Sequence, residues 1–213
     1  MKLYHELAEF YFSIEQNHRD IADDIGMAAS LCKEIAFPTV LDIGCGTGEH
    51  LNELHRRGFR CFGIDSSREM IDVARSRYPG IGALFTMDMT EFDYFEEFDL
   101  VLCLFGTFDY LLQDEQVDRV LWNTWRALRK GGMGLFEVWN SRPIRQIRHK
   151  DVSLVSVTSR DGTTIERLRG FSMEDRPGRT IVRVNYDYHL TADGRDSTVK
   201  DHHVMRAFDR DEI

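Results

Sequence analysis

The chain has 213 residues, enough for one main domain with a sizeable core. Its formal charge of -9 and sequence pI near 5.4 argue against a polyanionic partner, because binding phosphates needs an excess of Lys and Arg on one face. Nucleic acid is therefore not an expected substrate.

The four cysteines, Cys32, Cys45, Cys61 and Cys103, show no CxxC pair or framework spacing and read as reduced, partly buried thiols. MKLYHELAEF lacks the basic start and unbroken apolar run of a signal peptide, and no segment approaches the about 20 apolar residues a bilayer span needs. The expectation is a soluble, cytoplasmic protein with no membrane partner.

Two amphipathic helices are expected first, around Leu3 to Phe12 and from about Asn17 to Ile35, where Ile21, Ile25, Ala28 and Leu31 recur at helical spacing. A strand from Thr39 to Ile43 follows, then a turn from Gly44 to Gly48 and a helix reaching Arg57. Cys61 to Ile64 reads as a second strand ending at Asp65, and Ser66 with Glu69 as the capping box of a helix that Pro79 ends. Ala83 to Thr86 and Leu100 to Leu104 are further strands. Glu115 to Arg129 is a helix, and Gly134 to Val138 is a fifth strand after the Gly131-Gly132 turn.

This alternation predicts an α/β, Rossmann-like doubly wound fold, its mostly parallel sheet covered by helices on both faces. From about Asp151 the pattern changes to β-rich runs, Val152 to Ser159, Thr163 to Phe171, Thr180 to Leu190 and Thr198 to Phe208, separated by RDG, DRPGR and ADG turns. That is an antiparallel insertion, on which Val182, Val184, Tyr186 and Tyr188 all face one way. Asp209 to Glu212 looks like another helix start with a capping box, so the final helix and strands of the parent protein are expected to be missing. The domain reading is 1–38 N-terminal helices, 39–140 the core, 151–208 the insertion, and 209–213 the start of a truncated helix. Truncation would expose an edge strand, which favours pairing into a homodimer.

VLDIGCGTGEH places a carboxylate at a strand end before a glycine-rich turn that opens a helix. It supplies close backbone approach, inward N–H groups and a positive helix end. The spacing is GxGxG rather than GxGxxG, and Asp42 before the turn fits dinucleotide phosphates poorly, so the nicotinamide fingerprint is not matched.

That segment resembles the first motif of the Rossmann-like (class I) S-adenosylmethionine-dependent methyltransferases, and GIDSS resembles their second-strand motif. The resemblance covers about residues 35 to 140. It implies that Asp42 and the turn Gly44, Cys45, Gly46, Thr47 and Gly48 hold the methionine portion of S-adenosylmethionine, and that Asp65, with Ser66 and Met70 beside it, meets the ribose. TMDMTEFD matches the third motif, with Asp88 at the adenine amino group and Met89 at the ring. FDLVLCLFGTFDYL looks like the fourth, placing Leu104 and Phe105 carbonyls near the sulfonium and Thr107, Phe108 and Tyr110 toward the acceptor. RALRKGGMGLFEVWN, the fifth, brings Glu137, Trp139 and Asn140.

LYHELAEFYF, CGTGEHL, FGTFDYL and the β-rich insertion most resemble the aminosugar N-methyltransferases and their glycine N-methyltransferase-like relatives. In those enzymes the insertion forms a lid-like sheet over the acceptor, so a small-molecule amine is the implied substrate. The chain departs from the sugar enzymes where Gly106-Thr107 replaces a Ser-Ser pair. Transfer to an amine is an in-line displacement, and the amine must arrive neutral. Glu137, Tyr110 and His203 are nominated to take its proton, and Tyr11 to join the cofactor site from the N-terminal aromatic cluster. His202 and His203 point to opposite faces of a strand, so no metal site is expected. O- or C-methyl transfer, a noncatalytic S-adenosylmethionine-binding module and a nicotinamide-dependent oxidoreductase remain as alternatives.

Overall fold

The computed structural model describes residues 1–16, 20–176 and 178–213. Its packing divides the chain into two compact units, one of residues 1–19, 109–112 and 138–213, the other of residues 20–108 and 113–137. Both the expected start of the second helix, at Asn17, and Pro177 of the DRPGR turn lie outside the described residues.

The first unit opens with 3-10 turns at Lys2–Tyr4 and Ala8–Phe10, then the helix α1, Tyr11–Glu15. This corrects the single helix expected from Leu3 to Phe12. Leu7 leaves the helical region at φ -111°, ψ 13°, so that Leu3, Leu7 and Ile14 can all join the core of the antiparallel sheet. Burial outweighs helix propensity over so short a segment.

The second unit begins with helix α2, Ile21–Leu31, capped by Asp20, whose carboxylate accepts from the Ala22 amide. Strand β1 (Thr39–Ile43), helix α3 (Glu49–Arg56), β2 (Arg60–Asp65), α4 (Arg68–Arg77), β3 (Ala83–Thr86), β4 (Phe98–Cys103), α5 (Asp114–Ala127) and β5 (Leu128–Phe136) then alternate. The five strands make one parallel sheet in the order β3-β2-β1-β4-β5. Every residue of β1 and β4 is buried, as expected of central strands covered by helices. Ile25, Leu51, Leu54, Ile71 and Ala74 from the helices pack with Val40, Leu100 and Leu102 of these strands.

Two local readings are corrected here. The cap of α4 is Ser67 rather than Ser66, its hydroxyl accepting from the Met70 amide, because Asp65 extends β2 and draws in the Ser67 amide. β5 starts at Leu128 and ends at Phe136, so the glycine pair lies inside it. The register steps from Phe98↔Leu128 to Leu100↔Met133, a bulge that absorbs Gly131 at φ 84°.

The remainder of the first unit is helix α6, Ser141–Ile147, and a meander of β6 (His149–Arg160), β7 (Thr163–Arg176), β8 (Arg179–Ala192) and β9 (Arg195–Ala207), adjacent in that order. α6 has no counterpart in the sequence reading. Asn140 caps it by accepting from the Arg142 amide, and Pro143 sits in the first turn, where no donor is needed. Asp161-Gly162 and Asp193-Gly194 both take positive φ, the two-residue hairpin geometry that Asp-Gly favours. Val182, Val184, Tyr186 and Tyr188 all turn into this unit's core, as their alternation predicts. The Asp209 to Glu212 capping box is formed, around a 3-10 turn at Arg210–Glu212. Among the described residues, no helix is long and apolar enough to cross a membrane.

Candidate active site

Strand order reverses between β1 and β4, and the crevice at the carboxyl ends of such strands is where open α/β sheets bind ligands. The glycine turn lies there. Gly44, Gly46 and Gly48 take φ of 73°, 54° and 87°. The Gly44 and Cys45 amides donate to Ile64 O at 2.8 and 3.0 Å, holding the turn against β2. A Cβ on Gly44 would stand 2.4 Å from Thr107 Cγ2, so a glycine is required where the turns after β1 and β4 meet.

Asp65 ties the neighbouring turns together. Its Oδ2 accepts from the Gly46 amide at 3.0 Å and its Oδ1 from the Ser67 amide at 2.8 Å. Thr47, fully buried, donates to Glu49, and Glu49 pairs with Arg77 at 3.0 Å, joining α3 to α4 beneath the turn. Met70, 1% exposed, is packed inside α4's core face, whereas Ser66 is exposed.

Asp42 differs from these acids. It is 4% exposed, yet among the described residues no donor reaches its carboxylate. Burial pushes its pKa up to about 7; the nearby His50 opposes this, while Asp65 and Asp24 add to it. A buried carboxylate without a donor is costly unless a cation or donor arrives, which is the environment a positively charged cofactor would complete. The residues therefore fit a cationic ligand.

Sequence reasoning missed His50 and Asp24, whose side chains pair at 3.2 Å. Both sit on helices, α3 and α2: His50 closes the glycine-rich motif, and Asp24 is the polar member of the buried stripe it shares with Ile25 and Ala28. The His50 ring also stands edge-on to Phe105, with centroids 5.3 Å apart.

At the end of β4, Phe105 adopts φ 56°, a strained value for a side chain of its size, and Gly106 follows at 69°. The Phe105 amide donates to Glu137 Oε2 at 2.9 Å, and the Thr107 amide to Leu104 O at 3.1 Å. Glu137 thus braces this turn. Exposed Asp88 accepts from the amide and hydroxyl of Thr90, at 2.8 and 2.6 Å, beside half-buried Met89.

Two nominated side chains meet within the first unit. Tyr110 and His203 are hydrogen-bonded, Oη to Nδ1, at 2.6 Å, and Tyr4 Oη lies 2.8 Å from Tyr110 Oη. Burial pushes the Tyr110 phenol up and the His203 imidazole down from their usual ranges. His203 Nε2 faces Asp201 Oδ2 at 3.2 Å. Tyr11 packs against the same cluster, its ring 5.8 Å from that of Tyr4. His202 points to the exposed face, as strand alternation requires.

A methyltransferase-domain family model matches residues 40–132, the part of the chain that carries the switch point of the parallel sheet, the glycine turn and the strand-end acids. Two relatives are aminosugar enzymes. The chain is 33% identical over 136 residues to the dTDP-4-amino-2,3,4,6-tetradeoxy-D-glucose N,N-dimethyltransferase of Saccharopolyspora spinosa, covering 62% of this chain and 54% of that protein. It is 26% identical over 219 residues to the dTDP-3-amino-3,6-dideoxy-alpha-D-glucopyranose N,N-dimethyltransferase of Streptomyces fradiae, covering 97% and 80%. A solved S-adenosylmethionine-dependent methyltransferase from Clostridium acetobutylicum shares the fold, with a TM-score of 0.79 at 18% identity over 98% of this chain and 83% of that one. The chain spans 41% and 54% of the length of the first two curated relatives it matches.

Proposed function

We propose that the protein transfers a methyl group from S-adenosylmethionine to the amino nitrogen of a small molecule, with an aminosugar as the acceptor class. The observation that carries the acceptor assignment is the alignment over 97% of the chain, insertion included, with a relative named as an aminosugar N,N-dimethyltransferase. The family model covers residues 40–132 alone; the antiparallel sheet beyond it is the part that an acceptor class would shape.

In this reading Asp42 and the Gly44 to Gly48 turn hold the cationic methionine portion, Asp65 the ribose, and Asp88 with Met89 the adenine. S-adenosylmethionine supplies a methyl group on a cationic sulfur. The chain's own work is to hold the acceptor nitrogen in line with it and to exclude water. Such positioning is worth roughly 7 to 11 kcal/mol. Leu104 and Phe105 offer backbone oxygens at the strained turn after β4, and Glu137 fixes that turn through the Phe105 amide. An amine is protonated at neutral pH and must lose a proton before it can attack, so a group able to accept that proton is needed. Tyr110 and His203 are the candidates for it. The four buried free thiols suit a reducing, cytoplasmic setting.

The experiment is a screen of amines and aminosugar nucleotides with S-adenosylmethionine, reading S-adenosylhomocysteine release and product mass. Methylated amine product supports the assignment. Turnover confined to hydroxyl or carbon acceptors would replace it with O- or C-methyl transfer.

A further inference from the structure

The structure places four polar groups in one line inside the aromatic core of the first unit: Asp201, His203, Tyr110 and Tyr4. Asp201 Oδ2 lies 3.2 Å from His203 Nε2, His203 Nδ1 lies 2.6 Å from Tyr110 Oη, and Tyr110 Oη lies 2.8 Å from Tyr4 Oη. Tyr186 stands edge-on to the imidazole at 5.0 Å, and Tyr4 lies tilted against it at 5.3 Å. His203 itself is 2% exposed. A polar chain so enclosed holds one arrangement only if each member has its partner.

The direction of each bond can be worked out. Burial alone would push the Asp201 carboxyl up, but the Leu3 amide, donating to Oδ2 at 2.9 Å, and the facing His203 outweigh it and hold Asp201 below its usual range. Asp201 is therefore an ionised acceptor, so His203 Nε2 must carry the hydrogen. Burial lowers the His203 pKa. Asp201 opposes this, and the chain's amino-terminal charge and Arg167 add to the lowering. The ring is then neutral at neutral pH, and Nδ1 holds a lone pair. Tyr110 must donate to that lone pair, which leaves its oxygen to accept from Tyr4.

We propose that Asp201 is the positioning residue of a proton relay in which Tyr110 passes a proton to His203 Nδ1, and that the Leu3-Tyr4 segment latches both ends of the relay. Leu3 and Tyr4 are adjacent in the chain. One binds Asp201 through its backbone, and the other binds Tyr110 through its hydroxyl. The inference rests on the amine-acceptor reading. In the step it describes, an acceptor ammonium gives its proton to the Tyr110 oxygen as the Tyr110 hydroxyl proton moves to Nδ1. The amine is left neutral, and His203 becomes an imidazolium facing the Asp201 carboxylate. No oxidant or further reactant is involved. Tautomer control by a fixed acid is the means by which such a histidine is kept ready as a base.

Asp201→Asn keeps an oxygen for the Leu3 amide but removes the charge that fixes the tautomer. Long-range 1H–15N correlation on 15N-histidine protein at pH 7 should show His203 as the neutral Nε2–H form in the wild type, with that form depleted in Asp201→Asn. kcat should fall about a hundredfold with KM for the acceptor little changed, the usual scale for lost proton transfer. Tyr110→Phe, which keeps the ring, should lose kcat similarly while His203 stays Nε2–H. A wild-type His203 protonated on Nδ1, or Asp201→Asn turning over at the wild-type rate, would overturn the relay. Calorimetry of both variants with S-adenosylmethionine separates the two levels: unchanged cofactor affinity is expected, and a wild type that binds none would remove the underlying methyltransferase reading while leaving the tautomer result to judge the relay.

Discussion

Replacing Asp42 with Asn should make the ligand-free protein more stable above neutral pH while weakening its hold on cofactor. The carboxyl is buried at the end of β1, no donor among the described residues reaches it, and burial pushes its pKa up to about 7 from the ordinary 3.8. An acid whose folded pKa is raised binds more protons when folded than when unfolded. The ligand-free fold therefore loses stability as pH rises from about 4 through 7, by up to on the order of 4 kcal/mol for three units at 1.36 kcal/mol each. Asn removes that slope. For a cationic ligand that needs the ionised acid, the competent fraction rises from about a tenth at pH 6 to about nine-tenths at pH 8, so affinity should rise about tenfold. Urea unfolding of the ligand-free protein reads the first effect, and calorimetric titration with S-adenosylmethionine at the two pH values reads the second, each on wild type and Asp42→Asn. Equal wild-type affinity at pH 6 and 8, or a tenfold change retained by Asn, would refute the role given to Asp42.

Gly44→Ala should abolish cofactor binding with the sheet still folded, because a Cβ 2.4 Å from Thr107 at φ 73° forces the two turns apart; loss of calorimetric heat with a retained circular dichroism spectrum is the check. Arg77→Met strands buried Glu49 and should cost about 3 to 5 kcal/mol in urea denaturation. Tyr188→Phe removes a buried hydroxyl without a hydrogen-bond partner among the described residues, so it should be neutral or stabilising by about 1 kcal/mol in the same assay. Cys61, its thiol pushed up to about 12 chiefly by burial, should resist alkylation in the native protein at pH 8 and react only on unfolding.

The parallel sheet was legible because its strands are short apolar runs alternating with helical patterns, and two hairpins were legible because Asp-Gly in both turns takes the positive φ those turns require. Helix propensity misled at the N-terminus, where Leu3 and Leu7 are held by a sheet formed 150 residues and more further along the chain. The same distance concealed the site's acids. Nothing local marks Asp201 as the partner of His203, since its meaning depends on β9 meeting the Leu3 amide and on strand alternation turning His203 rather than His202 inward. Asp42 and Asp65 could be picked out as strand-end acids, but not the difference between them. Asp65 bridges two amides, whereas no donor among the described residues reaches Asp42, a distinction set by the turns that surround each of them.

The central claim is that S-adenosylmethionine binds the turn after β1 and that its methyl group passes to an amine. The most direct measurement is turnover of a radiolabelled methyl donor with a dTDP-aminosugar, followed to product by mass spectrometry. The account predicts labelled N-methyl sugar in proportion to S-adenosylhomocysteine. An absence of S-adenosylmethionine binding by calorimetry, with NAD(H) stabilising the fold instead, would contradict it.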